Sequence, residues 1–257
     1  MIDAITLKAL AKKFEIDSFT ILREYFQVKL LDLLYKERSL KRTYFKGGTC
    51  MRLMFGSSRF SEDLDFTTSE PKEKIKKILV KVVRDLSTEL LNISVKELTT
   101  LQGFSFKIYL PSEVSSQSLT IRLDFSKRES VIEPMVSPIE TSLPILTTVV
   151  VDHLSDREIL AEKVRTITKR EKGRDLFDLW FLLSKGVIID EVFIGKKLKY
   201  YKEDFNLKKL INKIKEWEEK DIENDLRRFL PVSQRKIIPE LKRLTLSKLL
   251  EEKSLKK

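Results

Sequence analysis

The segment from Lys46 to Phe66 constrains the fold of this 257-residue chain more than any other part of the sequence. It starts with Lys-Gly-Gly-Thr and ends with Asp63-Leu64-Asp65-Phe66. Because side chains alternate between the two faces of a strand, this ending predicts both carboxylates on one face and both apolar side chains on the other. Two ionised carboxylates on one face repel each other unless a cation lies between them. The pair therefore predicts a site for Mg²⁺ (or Mn²⁺).

Two glycine-containing turns precede this predicted strand. In the first, Gly47 and Gly48 allow a tight turn, and Thr49 is predicted to cap a helix whose exposed N–H groups bind phosphate. A lone Gly-Gly pair is usually only a turn, and a lone Asp-x-Asp pair is usually solvated. A phosphate-binding turn followed by a metal-binding pair, however, is typical of a nucleotidyl-transfer site. The residues of both turns that we expect to contact the nucleotide are Lys46, Gly47, Gly48, Thr49, Ser57, Arg59 and Ser61.

This segment closely resembles motif I of the AbiEii/AbiGii-type nucleotidyltransferase toxins, a family within the DNA polymerase β-like superfamily. Ser61, Asp63 and Asp65 fall within that motif. The resemblance implies an N-terminal polymerase β-like α/β lobe with a mixed sheet.

The composition favours an ordered, helix-rich protein without a membrane segment. Charged residues make up 35% of the chain and hydrophobic ones 42%, with seven Gly and seven Pro. No apolar run reaches membrane-spanning length, and the N-terminus lacks the features of a signal peptide. Cys50, the single cysteine, excludes an intramolecular disulfide and is predicted to be a small core residue. We therefore expect a cytoplasmic protein.

The sequence pattern changes near residue 150. Residues 1–150 alternate helical and strand patterns, whereas residues 151–257 are helical throughout, so we expect an α+β fold with an all-helical C-terminal lobe. Residues 196–257 contain nineteen Lys and Arg against eleven Asp and Glu, which supplies +8 of the formal net charge of +11. Such a balance favours nucleic acid as a partner. The alternative is a set of solvated Lys/Glu-rich helices, as in heat-adapted proteins.

A further carboxylate is predicted on a strand at Ile121–Phe125. The alternation there places Arg122 and Asp124 on one face. Polymerase β-like enzymes need a third carboxylate from a neighbouring strand, because two metal ions need more ligands than one aspartate pair supplies. Asp124 is our candidate for this third metal ligand. The alternative is an ion pair between Arg122 and Asp124 on a solvated face.

The start of the helical half carries another group of charged residues. Ser155-Asp156-Arg157-Glu158 is a capping-box sequence that begins a helix containing Lys163. Further along, Arg174 and Asp178 are four residues apart on the next predicted helix, with Asp175 between them. Either these residues form surface ion pairs, or Lys163 contacts the triphosphate while Arg174, Asp175 and Asp178 orient it.

These segments resemble motifs III and IV of the same toxin family, so the resemblance extends over roughly residues 40–185. It places Asp124 in motif II, Lys163 in motif III, and Asp175 with Asp178 in motif IV. It implies a metal-dependent transfer of a nucleoside monophosphate from an NTP to an acceptor, with release of pyrophosphate. It also implies a toxin of a toxin–antitoxin pair, with a cognate antitoxin and, in some members, the acceptor end of tRNA as substrate.

The resemblance assigns a role to each of these groups. Asp63 and Asp65 would hold the metal, and Asp124 would complete a second metal site or deprotonate the acceptor hydroxyl. The positive charges expected to stabilise the leaving pyrophosphate are Lys46, Arg59 and Lys163. The open alternatives are a nucleotidyltransferase acting on a protein or small molecule, a non-catalytic nucleotide- or RNA-binding module, and an interaction protein bound by an antitoxin.

Overall fold

The computed structural model describes residues 2–37, 39–100, 103–111 and 119–254. Within them it contains ten α-helices, two short 3-10 helices and seven β-strands. This confirms the mixed helix-and-strand fold predicted from the sequence. The chain divides into two compact units, Met1–Leu154 and Ser155–Lys257. The last three residues of the predicted basic segment 196–257 lie outside the described residues.

The first unit contains four helices and seven strands in its described residues. The helices are Ala4–Lys13 (α1), Ser18–Lys36 (α2), Gly47–Phe55 (α3) and Lys72–Leu86 (α4). The strands are Thr43–Lys46 (β1), Leu64–Thr68 (β2), Ser94–Leu98 (β3), Phe104–Leu110 (β4), Leu119–Ser126 (β5), Pro134–Pro138 (β6) and Val150–Leu154 (β7).

The seven strands form one mixed sheet in the order β3-β4-β5-β2-β1-β7-β6. Strand β2, which carries Asp65 and begins directly after Asp63, is the middle strand. It runs parallel to β5, with Asp65 opposite Asp124. It runs antiparallel to β1, with Asp65 opposite Lys46. The sheet therefore places three predicted site residues side by side on three adjacent strands.

Aromatic packing fixes the register of these central strands. Phe66 stacks on Phe125 with ring centroids 4.9 Å apart, and Phe104 stacks on the other side of Phe125 at 5.2 Å. Leu64 and Phe66 are fully buried, as the alternation predicted. A one-residue slip of β2 would exchange these side chains with their neighbours, so burial of the apolar pair holds Asp65 on the opposite face, whereas Asp63, predicted on the same strand, lies just before it. Cys50 is also buried, as predicted.

The second unit is helical in the residues described. Its α-helices are Asp156–Lys169 (α5), Gly173–Ser184 (α6), Glu191–Lys199 (α7), Leu207–Glu216 (α8), Glu219–Leu226 (α9) and Ile238–Ser254 (α10). Helix α5 begins where the capping sequence predicted, because the Ser155 hydroxyl accepts a hydrogen bond from the Glu158 N–H at 3.1 Å. In the part of the chain that is described, no helix has the length and apolar character needed to span a bilayer.

Candidate active site

Helix α3 begins at the glycine pair rather than after it. Lys46 is the N-cap residue and makes no side-chain capping bond, while Gly47 has a φ of 79°. Thr49 therefore lies inside the first turn, and the prediction that it caps the helix is wrong. Its hydroxyl instead donates to the Asp63 carbonyl at 2.5 Å. This bond ties the first turn of α3 to the chain just before β2.

The two glycines allow the first turn of α3 to lie directly against predicted site residues. A Cβ atom added at Gly47 would lie 2.3 Å from Oδ2 of Asp65. One added at Gly48 would lie 2.3 Å from Nη2 of Arg59 and 2.9 Å from the Ser61 hydroxyl. At either position an added Cβ would displace these side chains, and at Gly47 the positive φ also disfavours any other residue. The structure thus brings together five of the residues predicted from the sequence.

Positive charge is concentrated at this helix N-terminus. The Arg59 side chain is buried, donates from Nη1 to the Phe60 carbonyl at 2.8 Å, and lies next to Gly48. Lys46 lies in register with Asp65, and its Nζ is 3.4 Å from Oε1 of Glu129. Because the N-terminus of a helix carries a partial positive charge, it and the Arg59 guanidinium favour an anion, whereas the charge of Lys46 is balanced by Glu129.

The serines of the second turn differ in their surroundings. Ser57 is buried, and its hydroxyl accepts a hydrogen bond from the backbone N–H of Arg59 at 3.4 Å. This contact supports the turn, and the predicted contact of Ser57 with nucleotide stays a prediction. Ser61 is half-buried and lies beside Gly48, at the start of the same helix.

Asp63 and Asp65 flank the buried Leu64 and are both half-buried. Asp63 directly precedes β2, and Asp65 is its second residue. Carboxylate oxygens are the ligands that hard divalent cations prefer. By donor type and exposure, this pair fits the metal that the sequence predicted.

Asp124 has the neighbouring-strand position that was predicted for the third ligand, but its carboxylate is engaged locally. Its Oδ1 accepts hydrogen bonds from the Ser105 hydroxyl and from Arg122, whose Nη2 lies 2.8 Å away. This Arg122–Asp124 pair is the arrangement that the sequence left as the alternative. Among the described residues, no group of three or more His, Cys, Asp and Glu side chains is arranged to hold a metal ion. A metal-binding role for Asp124 therefore stays a prediction.

In the second unit, Lys163 is bound by both aspartates of the predicted motif IV. Its Nζ lies 2.9 Å from Oδ1 of Asp175 and 2.6 Å from Oδ2 of Asp178. Arg170 donates from Nε to the second oxygen of Asp175 at 2.9 Å. Lys163 and both aspartates are buried, so they are not surface ion pairs. Both aspartates thus position the same ammonium group.

Arg174 does not lie with this group, although it is four residues from Asp178. Its backbone N–H and its Nε donate to Oδ2 of Asp225 at 3.1 and 3.3 Å. Gly173 explains the difference, because a Cβ there would lie 2.3 Å from the Ile222 carbonyl oxygen. This close approach of α6 to α9 brings Asp225 to Arg174. The predicted contact of Arg174 with nucleotide stays a prediction.

The buried group around Lys163 predicts a specific dependence of stability on pH. Burial raises the pKa of Asp175, but the charges of Lys163 and Arg170 outweigh it and hold this pKa well below its usual value. Because the pKa is lower in the folded than in the unfolded protein, the ion pair stabilises the fold above about pH 4. That contribution is lost as the pH falls through the folded pKa.

We expect Asp175→Asn to lower the free energy of unfolding at pH 7 by about 3 kcal/mol. Between pH 4 and pH 2, the free energy of unfolding of Asp175→Asn should also change less than that of the wild type. Urea unfolding at several pH values measures both. Asp221→Asn, at an exposed position on α9, is the control. Equal curves for Asp175→Asn and wild type would contradict the assignment.

Sequence reasoning missed a set of polar residues around the second turn. Glu24 and Gln27 are buried on α2, and Arg52 on α3 contacts residues 57–60. The signal in the sequence is that Glu24 and Gln27 are polar at inward positions of α2 that, apart from Asp32, otherwise carry apolar or aromatic side chains.

The sequence of this chain matches a known protein family. The sequence profile of the family described as "Nucleotidyl transferase AbiEii toxin, Type IV TA system" matches residues 29–244. Comparison with curated proteins found no match.

Two solved structures show the same fold. MenT4, a nucleotidyltransferase toxin from Mycobacterium tuberculosis H37Rv, is 19% identical with a TM-score of 0.65, over 98% of this chain and 90% of that one. JHP933 from Helicobacter pylori is 19% identical with a TM-score of 0.57, over 94% of this chain and 96% of that one.

Proposed function

We propose that this chain, which belongs to the AbiEii family of nucleotidyltransferase toxins of type IV toxin–antitoxin systems, transfers a nucleoside monophosphate from an NTP to RNA, with tRNA as the first candidate. As the toxin of such a system it has an antitoxin partner. We further propose that the transfer depends on a divalent metal ion, Mg²⁺ or Mn²⁺, and takes place in the cytoplasm.

The contact of the glycine pair with Asp65 and Arg59 is the observation that best supports this proposal. It joins a helix N-terminus, which favours phosphate, to a carboxylate that suits a metal ion and to a buried guanidinium. A triphosphate carries negative charge that this N-terminus and Arg59 would bind. Its metal-binding oxygens would face Asp63 and Asp65.

The residues of the first unit would have separate roles in nucleotide transfer. A metal ion held by Asp63 and Asp65 would neutralise charge on the triphosphate as pyrophosphate leaves. Arg59 and the N–H groups of α3 would orient the phosphates. The acceptor hydroxyl oxygen would form a bond to the α-phosphorus as the bond to pyrophosphate breaks, and its proton would pass to Asp124.

The second unit's candidates keep the roles predicted for them. Lys163 would contact the triphosphate through an ammonium that Asp175 and Asp178 hold in place and whose charge they balance. Arg174 would contribute through a nucleotide contact.

A basic depression of about 380 Å³ on the second unit supports RNA as acceptor. Lys208, Lys209 and Lys213 line it, together with Asn206, Asn212, Thr168 and Glu216. Lys213 is paired with Glu171 at 2.5 Å, which raises the pKa of Lys213. Lys208 and Lys209 are exposed, so they carry most of the charge available to an RNA phosphate.

Incubation of the purified protein with each α-labelled NTP, Mg²⁺ and total RNA tests the proposal. We expect labelled RNA and released pyrophosphate, both abolished by EDTA and restored by excess Mg²⁺. Label on a protein or a small molecule instead would favour another acceptor. NTP or RNA binding without transfer under any of these conditions would favour a non-catalytic binding module.

For the acceptor, we expect Lys208→Glu/Lys209→Glu to weaken RNA binding and to leave NTP affinity unchanged, since neither lysine is among the residues assigned to the nucleotide. The slope of log affinity against log salt should fall by about two, because two fewer phosphates are neutralised. Fluorescence anisotropy with labelled tRNA at several salt concentrations measures this. The control is Lys8→Glu/Lys12→Glu on α1, which makes the same change of charge at exposed positions. Equal weakening in both variants would contradict a specific RNA surface.

A further inference from the structure

The chain between α3 and β2 carries site residues without having regular secondary structure. Within residues 57–61, Arg59 and Ser61 lie against the first turn of α3. Ser57, Arg59 and Phe60 are nevertheless buried, at 3%, 3% and 1% exposure. Something other than a helix or strand ladder must hold this loop in place.

Arg52 on α3 contacts this loop at three points. Its Nη1 donates to the carbonyls of Ser57 and Ser58, at 3.2 and 3.1 Å. Its guanidinium stacks on the Phe60 ring, with Cζ 3.4 Å from the centroid. Two carbonyls and an aromatic face are thus held by one planar group.

Helix α2 holds Arg52 and also contacts the loop itself. Glu24 pairs with Arg52 through both oxygens, Oε2 with Nε and Oε1 with Nη2 at 3.2 Å. Gln27, three residues later and so on the same face of α2, donates from Nε2 to the Ser61 carbonyl at 3.2 Å. Glu24 is 5% exposed and Gln27 is 1% exposed. We call Glu24, Gln27 and Arg52 the loop network.

The chemistry of the loop network indicates positioning rather than stability alone. Burying a carboxylate, a guanidinium and an amide costs desolvation that apolar residues of the same size would avoid. In return, each backbone carbonyl is held at a defined place. Lysine could not replace Arg52, because only the planar guanidinium can bond to a carboxylate and to carbonyls while stacking on a ring.

We propose that the loop network positions Arg59 for the NTP triphosphate, so that Arg52, Glu24 and Gln27 are positioning residues of the nucleotide site. This rests on the proposed function. Arg59 follows directly after the two carbonyls that Arg52 holds and precedes Phe60, the ring on which Arg52 stacks. Fixing the backbone on both sides of Arg59 fixes the starting point of its side chain.

A double-mutant cycle on NTP binding tests this proposal. We expect Arg52→Lys to weaken binding of the preferred NTP about tenfold, because losing one hydrogen bond between charged groups, here Arg59 and phosphate, has an effect of this order. In an Arg59→Ala background, the same substitution should change affinity by less than about twofold, since the group that it positions is absent. Additive effects of the two substitutions would overturn the proposal.

Two further variants separate an effect on NTP binding from a general effect on folding. Arg157→Lys makes the same change at an arginine that is also ion-paired and stacked on a phenylalanine, in the second unit, and should leave NTP affinity unchanged. If Arg52→Lys does not fold, Gln27→Met removes only the bond to the Ser61 carbonyl, and it should weaken NTP binding at an unchanged melting temperature. Unchanged NTP affinity in Gln27→Met would then overturn the proposal. Absence of NTP binding and transfer by the wild type would instead reject the proposed function itself.

Discussion

Asp65→Asn will reduce nucleotide transfer by at least about 100-fold while the protein remains folded, because a bound metal ion supplies several kcal/mol of transition-state stabilisation. Asparagine has the shape of aspartate, so the close contact with Gly47 is kept. What is lost is the negative charge that would hold the cation. The same argument applies to Asp63→Asn.

Transfer to RNA and the melting temperature should be measured together for these variants. Without metal, either substitution should leave the melting temperature unchanged or raise it, because it relieves repulsion between the two carboxylates. Asp152→Asn, on β7 of the same sheet, is the matched control and should transfer normally. Transfer by Asp65→Asn at the wild-type rate would remove the metal-binding assignment.

Gly47→Ala will also abolish transfer, and it will lower the free energy of unfolding. At Gly47 φ is 79°, a conformation that costs alanine roughly 1–2 kcal/mol. In addition, the new Cβ would lie 2.3 Å from Oδ2 of Asp65, so the aspartate must move. The first effect acts on stability and the second acts on the site.

Gly56→Ala separates these two effects. Gly56 has nearly the same backbone conformation, with φ 74°, but a Cβ there would meet no atom within 4 Å. It should therefore lose similar stability and keep its transfer activity. Gly48→Ala isolates the contact from the backbone strain. Its added Cβ would meet Arg59, but its φ is not positive. Equal losses of transfer in Gly47→Ala and Gly56→Ala would mean that strain alone explains the effect.

Local patterns in the sequence were sufficient to predict the central strand and the burial of Leu64 and Phe66 on one of its faces. Alternation from Leu64 to Phe66 has a period of two, and burial of this apolar pair leaves one possible side for Asp65. The Ser155 cap of α5 and the burial of Cys50 were likewise predictable. Each of these depends on a local pattern and on the preference of apolar side chains for the core.

The partners of the charged and polar side chains could not be predicted, because they depend on how the helices and strands pack. Thr49 bonds to the Asp63 carbonyl, Arg174 bonds to Asp225, and Glu24 reaches Arg52. Each partner comes from another element, brought near by packing that no local pattern encodes. A charged side chain gains most from whichever opposite charge or carbonyl is closest once water is excluded. Its position along the chain is therefore fixed by the sequence, whereas its partner is fixed by which helices and strands pack together.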